Sequence, residues 1–300
     1  MKPNLKVMMT CRERINLTEK TIQSIRDNST IFENISIYCY DNLSDLDNET
    51  RFQRFQMMLK NNLIQYYSYD TPSTLGNCFG KAVAYYKWIQ QIKFEEQLGR
   101  LNKTDKSKTY YLLIDNDMIV GPKWDQYFVS AASQCPESTY FLVKFPGGIP
   151  TIAQESSTKC QVTNLFSKDV PEKFNIVHAN AGGGSGFWFM TTQMLAKHVW
   201  GISEVNQTYK RFKRHDTTMW NTIRRLRGAS TKYVTGVIPP DPEQPLVLHL
   251  GSVVGSMCNQ LTTGQYNEDM KSRHEVNDDS IKNMTHAELF EKYKKKCYRW

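Results

Sequence analysis

Three short apolar segments in the first 120 residues end abruptly in polar residues. These segments are 5–9, which ends at Thr10; 35–40, which ends at Asp41; and 110–114, which ends at Asp115. Between the second and third of them, apolar residues recur at helical spacing from Asn77 onward. Strand, helix and strand in alternation predict a parallel α/β sheet with right-handed crossovers. Because ligands of such sheets bind beyond the carboxyl ends of the strands, the three polar ends predict a functional site at one sheet edge.

Local signals add a helix at each end of the chain and a loop between them. Thr18 is a candidate N-cap for a first helix that ends near Asn28. Thr285 and Glu288 form a capping box, which predicts the start of a C-terminal helix. Residues 150–176 show little periodicity, so we predict a loop there.

Composition narrows the class of protein. The 300 residues are 40% hydrophobic and 23% charged, which argues against a disordered chain, a collagen and a coiled coil. No apolar run approaches the roughly 18 residues of a membrane-spanning helix, and the N-terminus lacks a signal-peptide core. The seven cysteines form no CxxC pair, which disfavours a disulfide framework and a zinc ribbon. These features predict a reduced, cytoplasmic protein.

The positive charge is concentrated in two stretches. The net charge is +8, from 38 basic and 30 acidic residues. Basic residues dominate 209–227 and recur in the last ten residues. Such clusters attract anions, among them sugar nucleotides, lipid headgroups and nucleic acid. An ordinary solvated basic face is the alternative for the C-terminal stretch.

The sequence Asp115-Asn116-Asp117 directly follows the third apolar segment. Alternation places the two carboxylates on one side of the chain, where they are suited to hold a hard divalent cation together with phosphate oxygens. An Asx-rich turn that closes the strand is the alternative. His249, within an otherwise apolar strand, is a second candidate ligand, or a hydrogen-bonded core residue.

Three further features each have a functional and a structural interpretation. Asp216 begins a helix in the basic stretch, either as an N-cap or as a general base toward an acceptor hydroxyl. The glycines at 182–186 allow the backbone to approach a ligand closely, although no P-loop lysine follows them. Trp188 could stack on a sugar or base, or lie in the core.

Taken in order, these pieces resemble the family-2 type of GT-A glycosyltransferase. The resemblance runs from about Lys6 to His249 and includes Asp115-Asn116-Asp117 as a DxD motif. It implies a Rossmann-like mixed sheet flanked by helices, in a single continuous domain with a C-terminal helical extension. Residues 1–120 would form a half that binds the nucleotide sugar, 121–254 a half that binds the acceptor, and 255–300 a basic tail.

The resemblance also assigns roles to residues. Asp115, Asp117 and His249 would hold Mn²⁺ or Mg²⁺ on the donor diphosphate, and Asp216 would be the catalytic base. Donor contacts are expected from Thr10, Arg12, Asp41, Lys81 and Asn116, with Asp41 near the base or ribose. Acceptor contacts are expected from Gly183, Gly184, Trp188 and His215. The family usually has a Glu-Asp pair where this chain has His215-Asp216.

The function implied is a metal-dependent, inverting transfer of a hexose or pentose from a nucleotide sugar to a hydroxyl group. DNA with hydroxymethylated bases would suit the basic stretch as acceptor, and so would an anionic glycan. Two alternatives belong to other classes. A nucleotidyltransferase would use the same Asp pair but release pyrophosphate. A non-catalytic nucleic-acid-binding module would use the basic stretches without a metal.

Overall fold

The computed structural model describes eleven segments of the chain. They are residues 2–11, 14–42, 48–70, 77–101, 108–136, 141–143, 158–168, 172–179, 186–191, 234–250 and 278–297. Within these segments no helix has both the length and the apolar character that crossing a membrane requires.

Strands and helices alternate through the first 115 residues, and strands prevail in the described segments that follow. The strands are β1 (Asn4–Cys11), β2 (Asn34–Asn42), β3 (Tyr66–Asp70), β4 (Thr109–Asp115), β5 (Met118–Val120), β6 (Phe141–Val143), β7 (Thr158–Thr163), β8 (Lys173–Ala179), β9 (Phe187–Thr191), β10 (Val234–Val237) and β11 (Val247–His249). The helices are α1 (Ile15–Asn28), α2 (Asn48–Lys60), α3 (Asn77–Leu101), α4 (Trp124–Gln134) and α5 (His286–Cys297), with a short 3₁₀ helix at Asp278–Ile281.

Nine of the described strands form one mixed sheet, in the order β3-β2-β1-β4-β9-β6-β10-β8-β7. The first four strands of this order are parallel to one another, and β9 pairs antiparallel with β4. Strands β5 and β11 form a separate antiparallel pair. The predicted α/β architecture, a mixed sheet flanked by helices, is confirmed.

Helices cover both faces of the sheet, which is why its central strands are apolar on both sides. On one face, α1, α2 and α4 pack on the sheet, and Phe55 of α2 stacks on Tyr67 of β3 with ring centroids 4.3 Å apart. On the other face, α3 places Trp88 edge-on to Tyr111 of β4. The sheet is therefore fixed from both sides, and its strand ends are held rigidly.

The C-terminal helix begins as the sequence predicts. The amide of Thr285 donates to Glu288 Oε2 at 2.7 Å, and the amide of Glu288 donates to Thr285 Oγ1 at 3.1 Å. These reciprocal bonds confirm the capping box. Helix α5 then buries Leu289 and Phe290 against Leu248 of β11 in a third apolar cluster.

Two local predictions are wrong. Thr18 does not cap α1, because Arg14 holds the N-cap position and the Thr18 hydroxyl donates back to the Arg14 carbonyl at 3.0 Å, one turn inside the helix. The predicted loop over 150–176 contains β7 and the first residues of β8. In β7, Cys160 and Val162 alternate with polar residues and pack in or against the core. In β8, Phe174 and Ile176 do the same, so the period-two signal of a strand is present but short.

Candidate active site

The carboxyl ends of β1 and β4 bring Thr10 and Asp115 together. The two residues are register partners, and Thr10 Oγ1 donates to Asp115 Oδ1 at 2.8 Å. On the other side of β4, the Asp115 amide donates to the carbonyl of Gly186 at 2.9 Å. A Cβ atom on Gly186 would lie 3.5 Å from Asp115 Oδ2 and 2.4 Å from Met118 Cε. The Asp115 carboxylate is thus held between two neighbouring strands, with little room at Gly186 for a side chain.

Asp117 and His249 come together through the β5–β11 pair. His249 lies opposite Met118 in the register, and the Leu250 amide donates to the Asp117 carbonyl at 2.8 Å. As a result, His249 Nε2 is 3.5 Å from Asp117 Oδ2. The imidazole is 40% exposed and the Asp117 side chain 13%, so the pair lies where β11 meets solvent.

Arg14 contacts the same carboxylate. Its Nη1 atom is 3.4 Å from Asp117 Oδ2, and its side chain is 10% exposed. Sequence reasoning did not assign Arg14 to the site. The available signal was its position, four residues after Thr10 at the end of the predicted first strand, at the edge where the polar strand ends were expected to meet.

Asn116 faces helix α1. Its Nδ2 donates to Thr18 Oγ1 at 2.9 Å, and its carbonyl accepts from Thr21 Oγ1 at 3.1 Å. This buried amide fixes the turn between the two carboxylates to α1. The structure gives Asn116 a partner in α1, and its contact with the donor stays a prediction.

Asp41, at the end of β2, forms a buried ion pair with Arg51 of α2. Arg51 Nε and Nη2 each donate to one carboxylate oxygen at 2.6 Å. Tyr67 also donates to Asp41 Oδ2 at 3.2 Å, and its pKa is raised by burial and by this carboxylate. Alternation along the strands places Asp41 on the α2 face of the sheet and Thr10 on the α3 face. The two polar ends share an edge, but they face different layers of the fold.

Trp188, expected to contact an acceptor, is fully buried in the core. It lies in β9 on the face covered by α3, in one cluster with Trp88 and Tyr111. An indole that is 0% exposed cannot stack on a substrate. The structure therefore corrects the acceptor assignment of Trp188 in favour of the core alternative.

The other predicted site residues are described in part or not at all. The backbone of Lys81 lies in the first half of α3, and its side chain is outside the described atoms. Five predicted residues lie outside the described residues altogether: Arg12, Gly183, Gly184, His215 and Asp216. The basic stretch 209–227 lies outside them as well.

Among the described residues, Asp117 and His249 are a pair that could share one metal ion. Across the part of the chain that the structure describes, no three His, Cys, Asp or Glu side chains are grouped as a metal site. A pair of oxygen and nitrogen atoms 3.5 Å apart matches two adjacent ligand positions around one ion. Both side chains are of types that bind divalent cations, so the pair could supply two of the ligands of such an ion.

No protein-family model matches the chain, and no curated protein matches it. Among solved structures, a crystal structure of S. aureus TarS matches with 13% identity and a TM-score of 0.43, covering 79% of this chain and 35% of that one.

Two crystal structures of S. aureus TarS 1–349 also match. One has 13% identity and a TM-score of 0.41. The other, in complex with UDP, has 14% identity and a TM-score of 0.42. In both, 79% of this chain and 58% of that chain are covered. The chain therefore spans less than two thirds of each of these three chains.

Proposed function

We propose that the chain is a metal-dependent glycosyltransferase that moves a sugar from a nucleotide-sugar donor to a hydroxyl group of an acceptor. One observation carries the proposal. At the carboxyl edge of the sheet, Asp117 lies 3.5 Å from the imidazole of His249 and 3.4 Å from the guanidinium of Arg14. Two residues earlier in the chain, Thr10 fixes the carboxylate of Asp115 at the end of β4. Open α/β sheets bind their ligands at this edge.

The residue types at this edge suit a diphosphate. Asp117 and His249, with Asp115 beside them, would hold Mn²⁺ or Mg²⁺, and the bound cation would supply charge stabilisation for the departing nucleoside diphosphate. Arg14 adds a guanidinium, whose planar fork matches phosphate oxygens. Thr10 and Asn116 keep the carboxylates in place before the substrate arrives. Groups that are oriented before the substrate binds stabilise the charge of the transition state without a further cost of reorganisation.

The acceptor half of the proposal depends on residues beyond the described ranges. Asp216 would take the proton of the acceptor hydroxyl as the acceptor oxygen bonds to the anomeric carbon. The bond from that carbon to the diphosphate oxygen breaks on the opposite side, so the configuration inverts. The positive charge of 209–227 supports an anionic acceptor, either DNA with hydroxymethylated bases or an anionic glycan.

A thermal-shift panel of sugar nucleotides, with and without Mn²⁺, tests the donor half. We expect at least one sugar nucleotide to raise the melting temperature only when Mn²⁺ is present, because a ligand that binds the native state stabilises it. Asp117→Asn should remove this shift while leaving the melting temperature of the free protein close to that of the wild type.

The same preparation separates the alternatives. Release of a nucleoside diphosphate during turnover supports glycosyl transfer, whereas release of pyrophosphate would identify a nucleotidyltransferase. Nucleic-acid binding that survives chelation, with no shift from any sugar nucleotide, would favour the non-catalytic binding module. For a DNA acceptor, affinity should fall by roughly one unit of log–log slope per phosphate contact as salt is added.

A further inference from the structure

Arg14 and a divalent cation would use the same oxygen atom. Arg14 Nη1 lies 3.4 Å from Asp117 Oδ2, and His249 Nε2 lies 3.5 Å from that oxygen. The guanidinium and the carboxylate are both largely shielded from water. Arg14 thus already forms an ion pair with the carboxylate that is proposed to bind the metal.

The backbone holds Arg14 in this place in an uncommon conformation. Its φ and ψ are 55° and 49°, in the left-handed region that residues other than glycine rarely adopt. The amide and the hydroxyl of Thr18 both donate to the Arg14 carbonyl, at 2.9 and 3.0 Å. The same Thr18 hydroxyl accepts from Asn116. One hydroxyl therefore ties the arginine to the turn that carries the carboxylates.

Electrostatics gives this contact a role. Asp115 and Asp117 are two residues apart, and a shielded carboxylate near a second one is costly unless a positive charge offsets it. Arg14 supplies that charge before any ligand is bound. A divalent cation on Asp117 Oδ2 would lie close to the guanidinium, and like charges at such distances repel strongly in a shielded site.

We propose that Arg14 competes with the divalent cation for Asp117, so that the free protein takes up the cation more weakly than its ligand atoms alone would allow. This inference rests on the proposed metal-dependent function. It adds that the guanidinium must leave Asp117 Oδ2 before that oxygen can bind the metal.

The experiment is a titration of the full chain with Mn²⁺ alone, followed by the electron paramagnetic resonance signal of free Mn²⁺. Arg14→Met keeps the side-chain stem and removes the charge, and we expect it to bind Mn²⁺ at least about tenfold more tightly. Arg14→Lys keeps the charge and should stay within about threefold of the wild type. Circular dichroism of each variant checks that the fold is retained.

Arg54→Met is the matched control. Arg54 pairs with Glu19 of α1, so its removal also takes one positive charge from an ion pair of that helix, away from Asp117. It should leave the affinity for Mn²⁺ unchanged. The double variant Arg14→Met/Asp117→Asn should not bind Mn²⁺ more tightly than the wild type, because the carboxylate of residue 117 is then replaced by an amide.

The outcomes separate the inference from the proposed function. Suppose that Arg14→Met binds Mn²⁺ no more tightly than the wild type, while Asp117→Asn abolishes binding. Arg14 then does not compete with the cation, and the proposed metal site at Asp117 is supported. If Asp117→Asn and His249→Gln both leave the affinity for Mn²⁺ unchanged, the proposed metal site is wrong and the competition with it.

Discussion

Arg51 donates two hydrogen bonds of 2.6 Å to Asp41, and the two side chains are only 7% and 2% exposed. A second bidentate pair joins Arg54 of the same helix to Glu19 of α1, at 2.9 and 2.6 Å. Both side chains of that pair are 25% exposed. The two pairs therefore have similar geometry and different burial. Comparing them measures how burial of an ion pair affects the free energy of unfolding.

Replacing the buried arginine, Arg51, should destabilise the protein far more than replacing the half-buried Arg54. Arg51→Met leaves the Asp41 carboxylate buried with Tyr67 as its remaining partner among the contacts described above, and we expect a loss of about 3–5 kcal/mol in the free energy of unfolding. Arg54→Met should cost no more than about 1 kcal/mol. Urea unfolding of the two variants measures both values. Equal losses would show that burial of the Asp41 pair has little energetic consequence.

The hydrogen bond between Asn116 and Thr18 should couple the carboxylate turn to α1. We expect Asn116→Ala to cost about 1–3 kcal/mol, because it leaves the buried Thr18 hydroxyl without its donor. Thr18→Val should cost a similar amount, and the double variant less than the sum, with a coupling energy of about 1 kcal/mol. A double-mutant cycle in urea gives these values. Strict additivity would contradict the proposed link between the helix and the turn.

Two glycines near the site differ in what surrounds them. A Cβ on Gly121 would lie 2.6 Å from the backbone oxygen of Pro245 and 2.8 Å from Phe290 Cζ, whereas a Cβ on Gly186 meets the end of the Met118 side chain. A side-chain methyl can move and a backbone carbonyl cannot. Gly121→Ala should therefore lower stability by about 3 kcal/mol and Gly186→Ala by about 1 kcal/mol. Thermal unfolding ranks the two variants, and the reverse order would be evidence against this account.

The docking of α5 should depend on pH through His286. Burial lowers the pKa of this imidazole, which lies 3.7 Å from Asp27 Oδ2; Asp27 opposes the shift and Lys20 adds to it. Because the folded pKa is below the unfolded value of about 6.5, the unfolded state binds more protons between the two values. The contribution to stability is therefore full above pH 6.5 and falls as the pH drops toward the folded pKa.

His286→Asn should flatten this dependence. The measurement is the free energy of unfolding between pH 5.5 and 7.5, a window in which ordinary carboxylates stay ionised. The wild type should lose stability toward pH 5.5, and the variant should lose less. Identical slopes for the two proteins would assign the pH dependence to another group.

The sheet and the edge that carries the candidate site could be predicted from the sequence, because both depend on local pattern. Apolar runs that end in Thr10, Asp41 and Asp115 show where central strands stop, and parallel strands align these ends. The capping box of α5 is also local, since its two residues are three apart. The division of the chain at residues 120 and 254 stays a prediction.

The family resemblance placed His249 with Asp117, and the two side chains do lie 3.5 Å apart. Other contacts of the site could not be predicted from local pattern, because they join residues far apart in sequence. Arg14 meets Asp117 only because α1 packs beside β5. Asn116 stands between two carboxylates in the sequence, but the turn directs its amide to α1. Trp188 follows a glycine-rich segment, and only the pairing of β9 with β4 shows that its indole is in the core.

The central claim is that Asp117 and His249 hold a divalent cation that takes part in donor binding. Isothermal titration with the sugar nucleotide selected by the thermal-shift panel, in the presence of Mn²⁺, tests it most directly. His249→Gln and Asp117→Asn should each weaken binding by at least about tenfold. His178→Gln, which alters a histidine bonded to Thr235 in the sheet, should leave binding unchanged. Wild-type affinity in both site variants would contradict the claim.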